Sequence, residues 1–286
     1  MLVRSFAKIN WSLFVKGKLP NGYHDLDMIM QSVGIYDELE INKSSQNVLC
    51  VNGEIVEDIY SNLCFKAINE YNRYIKSENN YYIKLTKNIP IGAGLGGGSA
   101  DAAAVLLSIN KLSKNYLSHT ELMNLALNIG ADVPFMLQGG FARVSGIGEK
   151  IQNIENKNKY SMLIIFDNIF MSTAEVFKNY KHEKEINNTD KILQCILSKK
   201  INRLNSFKLN SLLKSAEHLN HKISLIIDEC YENKAILASM TGSGSAVYAI
   251  FENDNDLLSA QRRISLTKSF CKLVSTKERS IEIISD

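Results

Sequence analysis

The chain predicts an α+β protein of two domains, and three observations carry that reading. Its 286 residues are 45% hydrophobic and 22% charged, the proportions of a globular protein long enough for two cores. Strand-like period-two patterns dominate the first part of the chain, and helix-like patterns follow in blocks instead of alternating with strands one for one. The polar stretch NIENKNKY, residues 153–160, then precedes a second set of strands and helices, so the expected domains are 1–155 and 156–286.

Taken in order, Val3, Ala7, Ile9, Trp11, Leu13 and Val15 recur with period two while Lys8, Asn10 and Ser12 fall on the opposite face, which predicts one strand over residues 3–15. A turn at Pro20-Asn21-Gly22 leads to two more strands, over 25–33 and 37–41. A helix is expected near 62–74, then an alternating strand over 81–87 that stops before Pro90. Two helices follow, over 99–112 and His119–Ile129. Their inward stripes are Ala103, Leu106, Leu107 and Ile109, then Leu122, Leu125, Ala126 and Ile129. Gly130-Ala131-Asp132-Val133-Pro134 opens a short helix, with Asp132 near its cap and Pro134 in its first turn. A strand over 141–145 ends the first domain. In the second, Ser161–Phe166 reads as a buried strand and helices fill 173–231. Strands at Ala235–Met240 and 246–251 flank the loop Thr241-Gly242-Ser243-Gly244-Ser245. A helix near Asp254–Ile264 and two closing strands complete the chain.

Composition narrows the function classes. A net charge of +3 is too small to argue for nucleic acid or an anionic membrane as partner. No apolar run reaches membrane-span length, and no signal-peptide pattern precedes the first strand. Cys50, Cys64, Cys195, Cys230 and Cys271 are scattered and form no CxxC pair, which suits a reducing, cytoplasmic setting and argues against a cysteine metal site. His182, His218 and His221 lie in polar surroundings and carry no role.

Residues 90–104 read PIGAGLGGGSADAAA, with five glycines between Gly92 and Gly98, and run straight into an alanine-rich helix. Glycine permits positive φ and close backbone approach, and the helix presents free N–H groups and its positive dipole end to the loop. This is the form of a phosphate cradle. Gly92-x-Gly94-x-x-Gly97 satisfies a dinucleotide fingerprint, but the strand before it is half polar and far from a domain start. A Walker-type reading fails at Gly98, where that motif needs lysine. A merely structural turn seldom needs more than one or two glycines.

The run from Pro90 through Gly94-Leu95-Gly96-Gly97-Gly98-Ser99-Ala100-Asp101 resembles the ATP-binding motif of the GHMP kinase superfamily, most closely in its cytidine-diphosphate-sugar-alcohol branch. Ala7-Lys8-Ile9-Asn10, Asn21-Gly22-Tyr23-His24, Gly130–Pro134 and Met240–Ser245 resemble further family motifs in the same order and approximate spacing. Five motifs spread from residue 7 to residue 245 are jointly specific. The resemblance implies an N-terminal domain like the second domain of ribosomal protein S5 and a ferredoxin-like C-terminal domain. It implies transfer of the ATP γ-phosphate, with Mg²⁺, to the 2-hydroxyl of 4-diphosphocytidyl-2-C-methyl-D-erythritol, in non-mevalonate isoprenoid precursor biosynthesis. The expected partner is thus a small cytidine diphosphate, with no nucleic acid and no membrane, acted on by a monomer or weak homodimer. The alternatives are a mevalonate or homoserine kinase of the same superfamily, or a non-catalytic ATP- or sugar-binding sensor.

Residue by residue, the resemblance makes Lys8 and Asp132 catalytic, with Asp132 the general base and Lys8 supporting the reacting hydroxyl. The plain alternatives are an exposed strand lysine and a helix cap. Pro90, Ile91, Gly92, Ala93, Gly94, Leu95, Gly96, Gly97, Gly98, Ser99 and Ala100 would bind ATP, Ser99 adding a hydroxyl to phosphate or Mg²⁺, and Asn62 would lie near adenine. Asp101 reads as a residue that offsets the helix dipole in the first turn. Asn10, Tyr23, His24, Thr173, Phe177 and Gly242 would bind the substrate, with Tyr23 and Phe177 stacking on cytosine and His24 hydrogen-bonding its edge. Ser172 departs from the proline frequent in the family. A metal site at His24, Asp25 and Asp27 is rejected because the spacing does not put three ligands on one face. The Mg²⁺ ligands are not readable from the sequence.

Overall fold

A computed structural model describes residues 1–59, 61–114, 117–181 and 186–285. The chain begins as β1 (Leu2–Lys18), which pairs antiparallel along its length with β2 (His24–Ser44). The two strands expected over 25–33 and 37–41 are therefore one. The break in polar alternation between them reflects a register shift at Phe6/Ala7, where β2 carries extra residues without leaving the ladder. β3 (Val48–Val51), β4 (Glu54–Ile55) and β5 (Asn80–Thr86) extend the sheet, with α1 (Leu63–Ile75) between β4 and β5. The short strands β3 and β4 left no periodic signal.

α2 (Gly97–Leu112), α3 (His119–Ile129) and α4 (Val133–Gln138) follow, then the hairpin β6 (Phe141–Gly146) and β7 (Lys150–Asn153). α2 begins before Ser99 and is buried nearly all round, including Ala100, Asp101, Ala102, Ala103 and Ala104. Its alanines let α1, α4 and the sheet approach from several sides, so the single inward stripe expected for it is too narrow. The stripe of α3 is as expected, and its start is fixed by a Ser118–Glu121 capping box.

In the second half, β8 (Ser161–Phe166) is followed by α5 (Thr173–Lys178), α6 (Thr189–Leu197), α7 (Leu213–Leu219) and α8 (Lys222–Glu232). Then come β9 (Ala235–Met240), β10 (Val247–Phe251), α9 (Asp254–Ile264) and β11 (Phe270–Ser275). The antiparallel strand order β11-β8-β10-β9, with helices crossing between β8 and β9 and between β10 and β11, is the ferredoxin-like arrangement. The last strand, β12 (Ile281–Ser285), crosses back and pairs with β1, so the C-terminal half donates a strand to the first sheet.

Two bulges in the β1–β2 ladder, one of extra β2 residues at Phe6/Ala7 and one of β1 at Asn10/Ser12, switch the faces of β1 twice. Strict alternation from Val3 to Val15 is thereby corrected: Val3, Leu13 and Val15 join the core under α1–α4, while Ala7, Ile9 and Trp11 face β8 and β10. Trp11 packs edge-on against Tyr160 and Tyr248 at 5.2 and 5.8 Å, and Tyr248 Oη donates to the Trp11 carbonyl at 3.2 Å. The bulges leave Lys8 and Asn10 on the side of α2 and the glycine loop.

Candidate active site

The glycine loop leaves β5 and enters α2 through Gly92, Gly94 and Gly96, at φ of 68°, 76° and 72°. Gly96 is the N-cap residue of α2 and supplies no side chain to the first-turn N–H groups, which stay available to an anion. A Cβ at Gly94 would collide with the Thr241 carbonyl oxygen and lie 2.9 Å from that of Gly244. The two glycine-containing loops thus touch backbone to backbone, and Ala246 N donates to the Ala93 carbonyl at 3.0 Å. Asn210, which carried no sequence signal, anchors the second loop by bonds to the Met240 and Gly242 carbonyls at 3.1 and 2.9 Å.

Lys8 is buried, with 4% of its side chain exposed; it is not the exposed strand lysine of the plain reading. Its Nζ donates to Asn10 Oδ1 at 2.7 Å and stands 3.5 Å from Asp132 Oδ2. Asn10 is fixed in turn: its amide N–H donates to Thr241 Oγ1 at 2.9 Å and its Nδ2 to the Met28 thioether at 3.4 Å. Asp132 occupies the N-cap position of α4 but makes no side-chain cap bond. The carboxylate turns toward Lys8 and the cleft, one-third exposed, and the helix start leans on Pro134 instead.

Toward the other end, His24 stacks on Phe177 at 4.8 Å and 26°, with Tyr180 edge-on at 6.2 Å. The ring lying on Phe177 is therefore that of His24, while Tyr23 is 59% exposed. Burial and the neighbouring Lys18 hold the imidazole below its ordinary value, so it is neutral at pH 7 and its ring nitrogens offer one donor and one acceptor. Thr173 Oγ1 and Ser243 Oγ share a hydrogen bond at 2.9 Å. Asp25 and Asp27 are taken up by Lys16 at 3.0 Å and by Arg143 at 2.7 Å. His182 lies outside the described residues.

One cavity of about 690 Å³ joins these parts: Lys8, Asn10, Asn62, Pro90 through Ser99, Asp132, Thr173, Phe177 and Gly242 all line it. Ala100 is buried in α2, and neither Tyr23 nor His24 lines the cavity: His24 adjoins it through its stack on Phe177, and Tyr23 makes no ring contact with Phe177. Asn62 Oδ1 caps α1 by accepting from Cys64 N at 2.9 Å, a structural duty the sequence reading did not give it. A second cavity of about 410 Å³, lined by Lys16, Asp27 and Arg143, shares no residue with it.

Asp101 is corrected. It lies in the second turn of α2, buried, and Lys87 bonds it at 2.7 Å while Ser5 Oγ donates to it at 2.8 Å. Lys87 also pairs with Asp37, whose other oxygen accepts from the N–H groups of Asn88 and Ile89 at 2.5 and 2.8 Å. This triad ties β1, β2, β5 and α2 together directly beneath the loop. Burial pushes the Asp101 carboxyl up to about 7, against the pull of Lys87 and with Asp37 adding to it. Among the described residues no cluster of three or more His, Cys, Asp or Glu side chains could hold a metal.

Comparison with known proteins gives a consistent result. The chain matches the GHMP kinases N terminal domain over residues 62–140 and the GHMP kinases C terminal domain over 193–267. It is 37% identical over 265 residues to 4-diphosphocytidyl-2-C-methyl-D-erythritol kinase of Clostridium botulinum (strain Langeland), covering 91% of this chain and 93% of that protein. It is 34% identical to the same-named protein of Desulfitobacterium hafniense over 87% of both chains. The crystal structure of a 4-(cytidine 5'-diphospho)-2C-methyl-D-erythritol kinase superposes with a TM-score of 0.79 at 26% identity, over 96% of this chain and 99% of that one. A homoserine kinase from Cytophaga hutchinsonii shares the fold, with a TM-score of 0.72 at 17% identity over 99% and 97% of the two chains.

Proposed function

The chain belongs to the GHMP kinase family, and on that premise we propose that it phosphorylates the 2-hydroxyl of 4-diphosphocytidyl-2-C-methyl-D-erythritol with ATP, a step of non-mevalonate isoprenoid precursor biosynthesis. The observation that carries the reading is an aspartate at a helix start that does not cap the helix but faces a buried lysine across a cleft beside a glycine cradle.

In this reading Asp132 accepts the proton of the substrate hydroxyl as its oxygen attacks the γ-phosphate. Lys8, held by Asn10, stabilises the charge developing on that oxygen. The backbone N–H groups of the loop and of the first turn of α2 take the ATP phosphates, and Asn62 stands on the adenine side of the cavity. Asp101, committed to Lys87, is left out of the phosphate site. Mg²⁺ would be held chiefly by the phosphate oxygens, with Ser99 the residue that would add a hydroxyl, and it would neutralise phosphate charge there. Thr173, Ser243 and Gly242 border the substrate, and Phe177 with Tyr23 and His24 forms the cytosine end.

The five cysteines are free, which supports a reducing, cytoplasmic setting, and no helix among the described residues is long and apolar enough to cross a membrane. The cytosine end is tested by calorimetry with CDP: the protein binds it, and Phe177→Ala weakens binding by roughly tenfold, the size of one lost aromatic contact. Absence of CDP binding removes the cytidine assignment.

A further inference from the structure

In the proposed substrate the reacting hydroxyl and the 2-C-methyl group sit on the same carbon, so wherever the hydroxyl is held the methyl lies two bonds away. The groups that hold the hydroxyl are Lys8 and Asp132, whose 3.5 Å separation leaves both within reach of one oxygen. Polar and backbone groups stand beside Lys8 Nζ: Asn10 Oδ1 at 2.7 Å, and Gly242, whose Cβ if present would lie 3.2 Å away. Met136 packs against Gly96 and does not line the cavity.

Leu13 of β1 and, opposite it on β2, Met28 are apolar side chains lining the cavity near this end, and the one bonded to Asn10 is Met28. It lines the cavity, is 4% exposed, and its sulfur accepts from Asn10 Nδ2 at 3.4 Å, which holds the thioether beside the Lys8–Asn10 pair. It belongs to a row on one face of β2. His24 stands at the Phe177 end, Leu26 follows, and Met28 comes last, about 13 Å from His24 at the rise of an extended strand. A substrate with its base at His24 therefore brings its branched carbon to Met28. Resting on the function proposed above, we infer that Met28 is a specificity-determining residue whose side chain seats the 2-C-methyl group. A flexible, polarisable thioether suits a small apolar group beside polar atoms. Without that seat, the methyl would lie against charged and amide groups, at a cost in transition-state binding.

The test compares kcat/KM for 4-diphosphocytidyl-2-C-methyl-D-erythritol with that for its 2-desmethyl analogue, because the ratio is independent of how much of a variant is folded. The wild type should prefer the methylated substrate by roughly tenfold or more, the discrimination one buried methyl supports. Met28→Ala should collapse the ratio to within about threefold, Met28→Leu should keep it, and Leu26→Ala should leave it unchanged. A wild type that does not discriminate, or a Met28→Ala protein that discriminates as well as wild type, overturns the seat while leaving the kinase reading intact. Failure of the wild type to release ADP with either compound takes down both.

Discussion

Asp132 shows how one side chain separates two readings of the same residues. A capping aspartate and a general base look alike in Gly-Ala-Asp-Val-Pro, and only the direction of the carboxylate distinguishes them. If it is the base, Asp132→Asn lowers kcat by roughly 10²–10⁴-fold while ATP binding, measured by titration, stays nearly unchanged. An unchanged kcat rejects the role. Lys8, Asn10 and Asp132 were legible because each sits in a local motif. The Asp37–Lys87–Asp101 triad was not, since its members come from three elements and meet only when β2, β5 and α2 pack. The triad carries a pH signature. A carboxyl raised from 3.8 to about 7 means the folded protein holds a proton that the unfolded chain releases, so the Asp101 contribution favours folding at low pH and fades as pH rises through that window. Denaturant titrations of wild type and Asp101→Asn from pH 4 to 8 should therefore differ in slope: the wild type loses stability relative to the variant as pH rises. Parallel curves contradict the assignment.

At the scale of elements, the informative contact is between the glycine cradle and the loop over 241–245. Gly94 and Gly242 face one another, and a Cβ on Gly242 would sit 2.8 Å from the Gly94 carbonyl. Gly94→Ala forces both a strained φ and a backbone collision, and is expected to cost about 1–3 kcal/mol in denaturant unfolding, together with a fall in activity. Half-buried Gly17→Ala, with open space around its Cβ position, serves as the control and should be near neutral. Helices α1, α3 and α9 were readable from apolar spacing and caps. The bulges of the β1–β2 ladder were not, because a bulge changes face without changing composition, so the period-two pattern ran straight across two reversals.

For the molecule as a whole, the two halves are joined through β1. One face of β1 serves the N-terminal core, the other packs Trp11 on Tyr160 and Tyr248, and β12 returns from the C-terminal end to its edge. That return was invisible in the sequence because a closing strand carries no mark of its partner. The arrangement places the glycine cradle, the Lys8–Asp132 pair and Phe177 along one cavity of about 690 Å³. The related homoserine kinase fold shows that the architecture alone does not choose the substrate. On the reading proposed above, that choice falls to the residues along β2 and α5. The most direct measurement is coupled ADP release with ATP and Mg²⁺, presenting 4-diphosphocytidyl-2-C-methyl-D-erythritol, mevalonate and homoserine in parallel. ADP formed with the cytidine compound and not with the other two is the predicted result; no ADP with the cytidine compound, or ADP formed preferentially with mevalonate or homoserine, contradicts it.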